Sequence, residues 1–348
     1  MKPFAFAAAL IAALIGLASI GGPAHAQRAL PTFNPASGQL YQLHNNGAIF
    51  AFTGTACSGE SCPGWIQLDA NSATKAIAAG GRNLYQLHRD GRIWRFTGAA
   101  CGPSGCPGWV LLDNNPATVA IVAGSSGSSG ILYQLHNNGS IWRSTGAPCS
   151  GNSCPGWVRL DANPATVQIA AINDGLYQRH NNGRIWRFLG APCTGNSCPS
   201  WQLLDANGAT KTIAAGTGLF QLHNAGAVWA SIGVPCGPTG CPGWTLLDNN
   251  SATVEIEASL GGLYQRHNNG RVWRSTGAPC SNTGCPGWQL LDANGATAEI
   301  ASSTAGFYQR HNGGRLWRYT GTPCGDAGCP GWELIDANPA TASITAAH

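Results

Sequence analysis

Apolar and polar positions alternate along this chain in short runs, and nowhere do they recur at helical spacing. Leu40 to His44 ("LYQLH") alternates, Ala48 to Phe52 does likewise, "GWIQLD" ends at Asp69, and "ATKAIAAG" is a run of small residues around Ile77. These four strand-like stretches form one unit, and the unit returns seven times. Its histidine falls at His44, His88, His136, His180, His223, His267 and His311, in steps of 44, 48, 44, 43, 44 and 44. The one long step contains "GSSGSSG" at 124–130, read as a flexible insertion between two strands. Four strands in each of seven units predict an all-β protein, a seven-bladed β-propeller with four-stranded blades.

The phase of the repeat predicts how the ring closes. The first copy begins at Leu40 with no small-residue strand before it, and the chain finishes on an unpartnered one, "ATASITAAH", at 340–348. If that last strand completes the first blade, an exposed edge disappears and Ile344 shares a blade with Tyr41. An open solenoid would carry capping sequences at its ends, and none is visible. Ala76, Ala78 and Ala79 suit an innermost strand, where blades crowd at the axis. The expected organisation is a signal peptide at 1–26, a lead-in at 27–38 and one propeller domain at 39–348.

The signal peptide rests on Lys2, the apolar run "FAFAAALIAALIGLASIGG" and the small-residue site Ala24-His25-Ala26. An uncleaved anchor is the competing reading of that run; no other segment could span a bilayer. Cleavage would leave a secreted or periplasmic chain of about 320 residues. The 48 Gly, 21 Pro and 13 Trp of the full sequence, with only 10% charged residues, suit a loop-rich all-β protein. A net charge of +4 and a pI near 8.4 do not call for nucleic acid.

All 14 Cys fall into C-x4-C pairs, each followed by Pro. Cys57 goes with Cys62, Cys101 with Cys106, Cys149 with Cys154, Cys193 with Cys198, Cys236 with Cys241, Cys280 with Cys285 and Cys324 with Cys329. In an exported chain this pattern implies disulfides, one closing each loop. Zinc would need two further ligands beside each pair. Catalytic redox chemistry usually uses a single C-x-x-C.

The Asn46-Gly47 dipeptide predicts a two-residue type I′ hairpin turn. That turn sets His44 opposite Ile49 and Leu43 opposite Phe50. The Phe50 position is Trp in the other copies: Trp94, Trp142, Trp186, Trp229, Trp273 and Trp317. The Leu43 position becomes Arg179, Arg266 and Arg310 in copies four, six and seven, so each Arg would face a Trp in a cation–π pair. A position shared by Leu and Arg reads as shallow rather than deep core. Arg184, Arg187, Arg271, Arg274, Arg315 and Arg318 make the same copies a basic arc. The "HNNG" turns and the "LDAN" segments should share one face of the ring and the cystine loops the other. Asp69, Asn71, Asp113, Asn115, Asp161 and Asn163 read as turn caps, and the Trp after each cystine, Trp65 to Trp332, as packing between blades. The histidines either bond neighbouring blades or join Trp, Asn and Arg in repeated shallow pockets suited to sugars.

The outer stretch "GWIQLDANSATKAIAAG", then "LYQLH", a Gly turn and "GRIWRFTG", resembles the tectonin-type β-propeller repeats of secreted lectins, from Leu40 to His348. The resemblance implies non-catalytic recognition of glycans or glycoconjugates at several equivalent sites, strengthened by avidity. The C-x4-C loops and "HNNG" turns depart from the usual tectonin pattern, so no family binding residue is carried over. The alternative is a protein-interaction platform using the basic arc. The chain has no G-x-S-x-G elbow, no H-E-x-x-H and no singular pair of carboxylates, since each acidic residue of note recurs with the repeat. The expectation is a protein that is not an enzyme and uses no cofactor.

Overall fold

The structure is a computed structural model and describes residues 32–348. The signal peptide and the start of the lead-in lie outside the described residues. Seven antiparallel four-stranded sheets form the blades of a ring. In the second blade the strands run, from axis to rim, Thr74–Gly80, Asn83–His88, Ile93–Phe96 and Trp109–Asp113. The first blade takes its innermost strand, Thr341–Ala346, from the other end of the chain. Leu40 pairs with Ala346 and Gln42 with Ile344, so Ile344 and Tyr41 share a blade as the repeat phase predicts.

Apolar residues of each blade interlock with those of the next. One cluster joins Tyr85, Leu87 and Ile93 of the second blade to Ile121, Ala123 and Leu132 of the third. The Trp that opens each outer strand ties the blades together: Trp109 Nε1 donates to Leu68 O at 2.9 Å, and Trp65, Trp157, Trp201, Trp244, Trp288 and Trp332 do the same around the ring. The cysteines are bridged as the spacing implies, each within its own loop. Cys57 is bonded to Cys62, Cys101 to Cys106, Cys149 to Cys154, Cys193 to Cys198, Cys236 to Cys241, Cys280 to Cys285 and Cys324 to Cys329.

Two local expectations are corrected. The Gly/Ser insertion is an ordered extension of the third blade's inner hairpin, with Ser125 opposite Gly130 and Ser126 opposite Ser129. Small residues continue the ladder, and a Gly127-Ser128 turn closes it with Gly127 at φ 60°. The cystine loops are not confined to the face opposite the "HNNG" turns. Each folds back along the rim, where Cys57 N–H donates to Leu334 O of the preceding outer strand at 3.0 Å. Glu60 in that loop reaches Arg315 in the preceding blade's turn at 3.2 Å. An outer strand is a sheet edge with free carbonyls, and the loop covers it.

Candidate functional site

The hairpin turn differs from the expected one by a single residue, and the site changes with it. His44 N–H donates to Ala48 O and Gly47 N–H to His44 O, which makes a three-residue loop of Asn45, Asn46 and Gly47. Only the Gly takes positive φ, at 85°, and a Cβ there would lie 2.3 Å from Asn71 O. The extra residue shifts the register: Leu43 faces Ile49 and Gln42 faces Phe50. Arg179, Arg266 and Arg310 therefore face Ile185, Val272 and Leu316, not Trp186, Trp273 and Trp317. None of these three makes the expected cation–π pair.

The arginines turn instead toward the innermost strand. Arg266 Nε donates to Glu255 at 2.6 Å, Arg310 Nε to Glu299 at 2.8 Å, and Arg179 Nε to Gln168 at 3.1 Å. The copies with Leu at this position place Ala76, Ala120, Thr212 or Ser343 across from it, and Leu43, Leu87, Leu135 and Leu222 are buried. The position is thus buried where it is Leu and half-buried where it is Arg, and Leu or Arg is chosen by its cross-strand partner. Glu255 and Glu299 also accept backbone N–H groups from the next inner strand, at Ile300 and Ile344. Next to them Glu257 lines an axial channel of about 320 Å³. Its counterparts are Ala78, Val122, Ala170, Ala214, Ala301 and Thr345, so one carboxylate does break the repeat. Burial pushes the Glu257 carboxyl up to about 8.

Most polar groups near the "HNNG" turns are consumed by the architecture. The last Asn of each "LDAN" or "LDNN" accepts the N–H two residues on, as Asn71 does from Ala73 at 2.9 Å. Asp69, Asp113 and Asp161 likewise cap their own turns. A repeated buried chain, absent from the sequence reading, joins three strands: Thr74 Oγ1 donates to Gln86 Oε1, and Gln86 Nε2 to Asp69 Oδ2 of the preceding blade. The Thr–Gln bond recurs in all seven blades and the Gln–Asp bond in six. The recurrence of Gln and Thr in every copy was the available signal.

The groups left over are the His and the Trp. The seven histidines are 4–9% exposed and hold Nε2 buried with no hydrogen-bond partner among the described residues. Trp94, Trp142, Trp186, Trp229, Trp273 and Trp317 hold Nε1 in the same condition. Within each blade the two rings lie 5.6–5.8 Å apart, and His44 lies 4.5 Å from Phe50. Each indole is half-buried. Between the fifth and sixth blades a cleft of about 210 Å³ is lined by His267, Trp273, Asn250, Cys285, Pro286 and Trp288. The cystine loop is thus one wall of the cleft, which the expected separation of faces concealed. Burial holds all seven His below their ordinary range, with nearby carboxylates such as Asp336 at His44 only partly opposing it. A neutral imidazole beside an indole N–H offers an acceptor and a donor, or two donors, toward a hydroxyl.

No family model matches the chain, and no curated protein matches it. Solved structures do. Yeast RCC1 (Prp20), solved bound to Kap60, aligns with a TM-score of 0.51 at 11% identity, covering 97% of this chain and 90% of its own. Prp20p from Saccharomyces cerevisiae gives 0.49 at 11% identity (89% and 87%), and YCF48 bound to D1 peptide gives 0.49 at 13% identity (84% and 94%). These likenesses concern the fold. This chain is a seven-bladed β-propeller repeat protein closed by its last strand.

Proposed function

We propose that this propeller is a non-catalytic, multivalent glycan-binding protein of an oxidising compartment, secreted or periplasmic, whose equivalent sites are the His–Trp clefts between blades. The observation that carries the reading is the set of unpartnered His Nε2 and Trp Nε1 atoms. Leaving one buried polar atom unsatisfied costs about 1–3 kcal/mol. This chain repeats that cost in every blade while satisfying the Asp, Asn, Gln and Thr around it. A small opening of the cleft brings both atoms to a sugar hydroxyl, with the half-buried indole against the apolar face of the ring, and removes the cost. The tectonin-like repeats support the same ligand class, and seven disulfides together with the signal-like leader support export. No catalytic step is assigned. A broad glycan array with the oxidised protein tests the reading; binding to no glycan refutes it.

The exposed Arg184, Arg271 and Arg315 on the turns of copies four, six and seven favour a second reading, a protein-interaction platform. It expects a salt-sensitive partner that is lost when Arg184 and Arg271 are both changed to Ala.

A further inference from the structure

A different cleft opens on the face opposite the "HNNG" turns, where the blades carry another repeated pair. Tyr85 lies across from Arg95, Tyr133 from Arg143, Tyr177 from Arg187, Tyr264 from Arg274 and Tyr308 from Arg318. The remaining copies have Ala: Tyr41 with Ala51 and Phe220 with Ala230. Each pair faces the following blade. In most blades its guanidinium is accounted for or covered. Arg318 bonds Glu333 at 2.5 Å and lies 5.5 Å from the ring of Phe52. Arg187 bonds Gln202 at 2.6 Å. The blades after Arg143 and Arg274 carry Phe188 and Tyr319 at the place that Phe52 fills.

Between the second and third blades three features coincide. Arg95 faces Val110 on the outer strand, which offers no side-chain acceptor. The covering aromatic is replaced by Ser144. The lengthened inner hairpin of the third blade, with Ser129 and Gly130, forms a wall. The result is a cleft of about 470 Å³. Arg95 makes one long contact, 3.4 Å from Nη1 to Gly146 O, and no carboxylate pairs with it among the described residues. Tyr85 Oη donates to Gly130 O at 3.2 Å and fixes the wall. Burial pushes its phenol up to about 12, against the opposing charge of Arg95, so it stays a donor at neutral pH. Leu112, Ile131 and Leu132 give the cleft an apolar side.

An unneutralised guanidinium presents a planar fork of donors suited to a carboxylate. Hydroxyls and an amide around it suit a polyhydroxylated body, and an apolar wall suits the flat face of a pyranose ring. We propose that the cleft between the second and third blades is a separate binding site for a carboxylate-bearing sugar. In it Arg95 holds the carboxylate, and Asn83, Ser129, Ser144 and Thr145 serve the hydroxyls. This site does not rest on the glycan reading of the His–Trp clefts, because its residues and its anionic requirement differ from theirs.

The test is calorimetric titration of the full oxidised chain with glucuronate, galacturonate and N-acetylneuraminate, each beside glucose and galactose as neutral counterparts. At least one acidic sugar is expected to bind at a single site, with the neutral sugars at least tenfold weaker, and added salt weakens the acidic ligand. Ser144→Phe writes in the residue used at the same place in other blades, so it keeps the fold and closes the cleft; it should reduce acidic-sugar binding at least tenfold at an unchanged melting temperature. Arg95→Ala should do the same. The proposal is overturned if none of the acidic sugars binds, if neutral sugars bind equally at this site, or if Ser144→Phe leaves acidic-sugar binding intact. Trp273→Phe, which changes a His–Trp cleft, should leave this binding unaltered, so the two kinds of site fail or succeed separately.

Discussion

Each outer-strand tryptophan commits its one donor to the blade before it. Trp109→Phe keeps the ring and removes the bond to Leu68 O, so a loss of about 1 kcal/mol is expected in urea unfolding. The indoles beside the histidines behave oppositely, because their N–H groups have no partner among the described residues. Trp273→Phe should therefore leave stability near the native value, and Phe50 shows that the site tolerates the ring. The histidines set a pH dependence. Burial lowers each of the seven, so between the unfolded value near 6.5 and the folded value the unfolded chain binds more protons. Their contribution is complete above 6.5 and is lost as pH falls below it; the urea midpoint should drop steeply from pH 7 to pH 5. Glu257 acts with the opposite sign. Its folded value, near 8, lies above the unfolded 4.5, so its contribution is lost as pH rises through that window. Glu257→Gln should raise the midpoint at pH 9 relative to the parent chain while leaving the acid limb in place. Burial and unpaired atoms are invisible to spacing, and for this reason the sequence reading could name His and Trp as candidates but could not separate them from Arg179, Arg266 and Arg310, which the inner strand engages.

The repeat made the strands, the cystines and the closing element legible, because each recurs or ends at a definite phase. The "NNG" turn was harder: Asn-Gly serves both a type I′ turn and a three-residue loop with Gly in the left-handed region, and the two differ by one position of register. That single step moved Gln opposite Trp and sent the arginines to the inner strand. The pairing of Arg266 with Glu255, and of Leu87 with Ala76, was present in the sequence as matched changes between copies. The cystine loop reads as a bracket around a turn, yet its backbone caps a neighbouring strand edge, and nothing in C-x4-C specifies that contact. Replacing Cys57 and Cys62 together by Ala should cost about 2 kcal/mol in the chain-entropy account, with the ring intact. Removing residues 340–348 is a different kind of change, since it uncovers the edge of Leu40–His44. That truncation should abolish the cooperative thermal transition and leave a self-associating chain, read by calorimetry and light scattering.

For the molecule as a whole, closure and display follow from the same repeat. Seven blades are held to one another by indole–carbonyl bonds, by Gln–Asp bonds in six of the junctions, and by the strand that the chain's last residues contribute. A ring built in this way repeats the His–Trp pair in six blades and sets His44 beside Phe50 in the first, so under the proposed reading weak single-site binding combines on a multivalent glycan surface. The axial channel and the cleft beside Arg95 interrupt that symmetry, and only the latter joins an unpaired cation to an open volume. The most direct measurement is a broad glycan array with the oxidised protein, followed by calorimetric titration with the glycan that gives the strongest signal. Six equivalent sites per chain, each weakened when its Trp is changed to Phe, is the result the account expects, with any seventh, at Phe50, lacking the indole donor. A single site per chain, or no glycan bound anywhere on the array, would contradict it and return the His and Trp to the architecture of the ring.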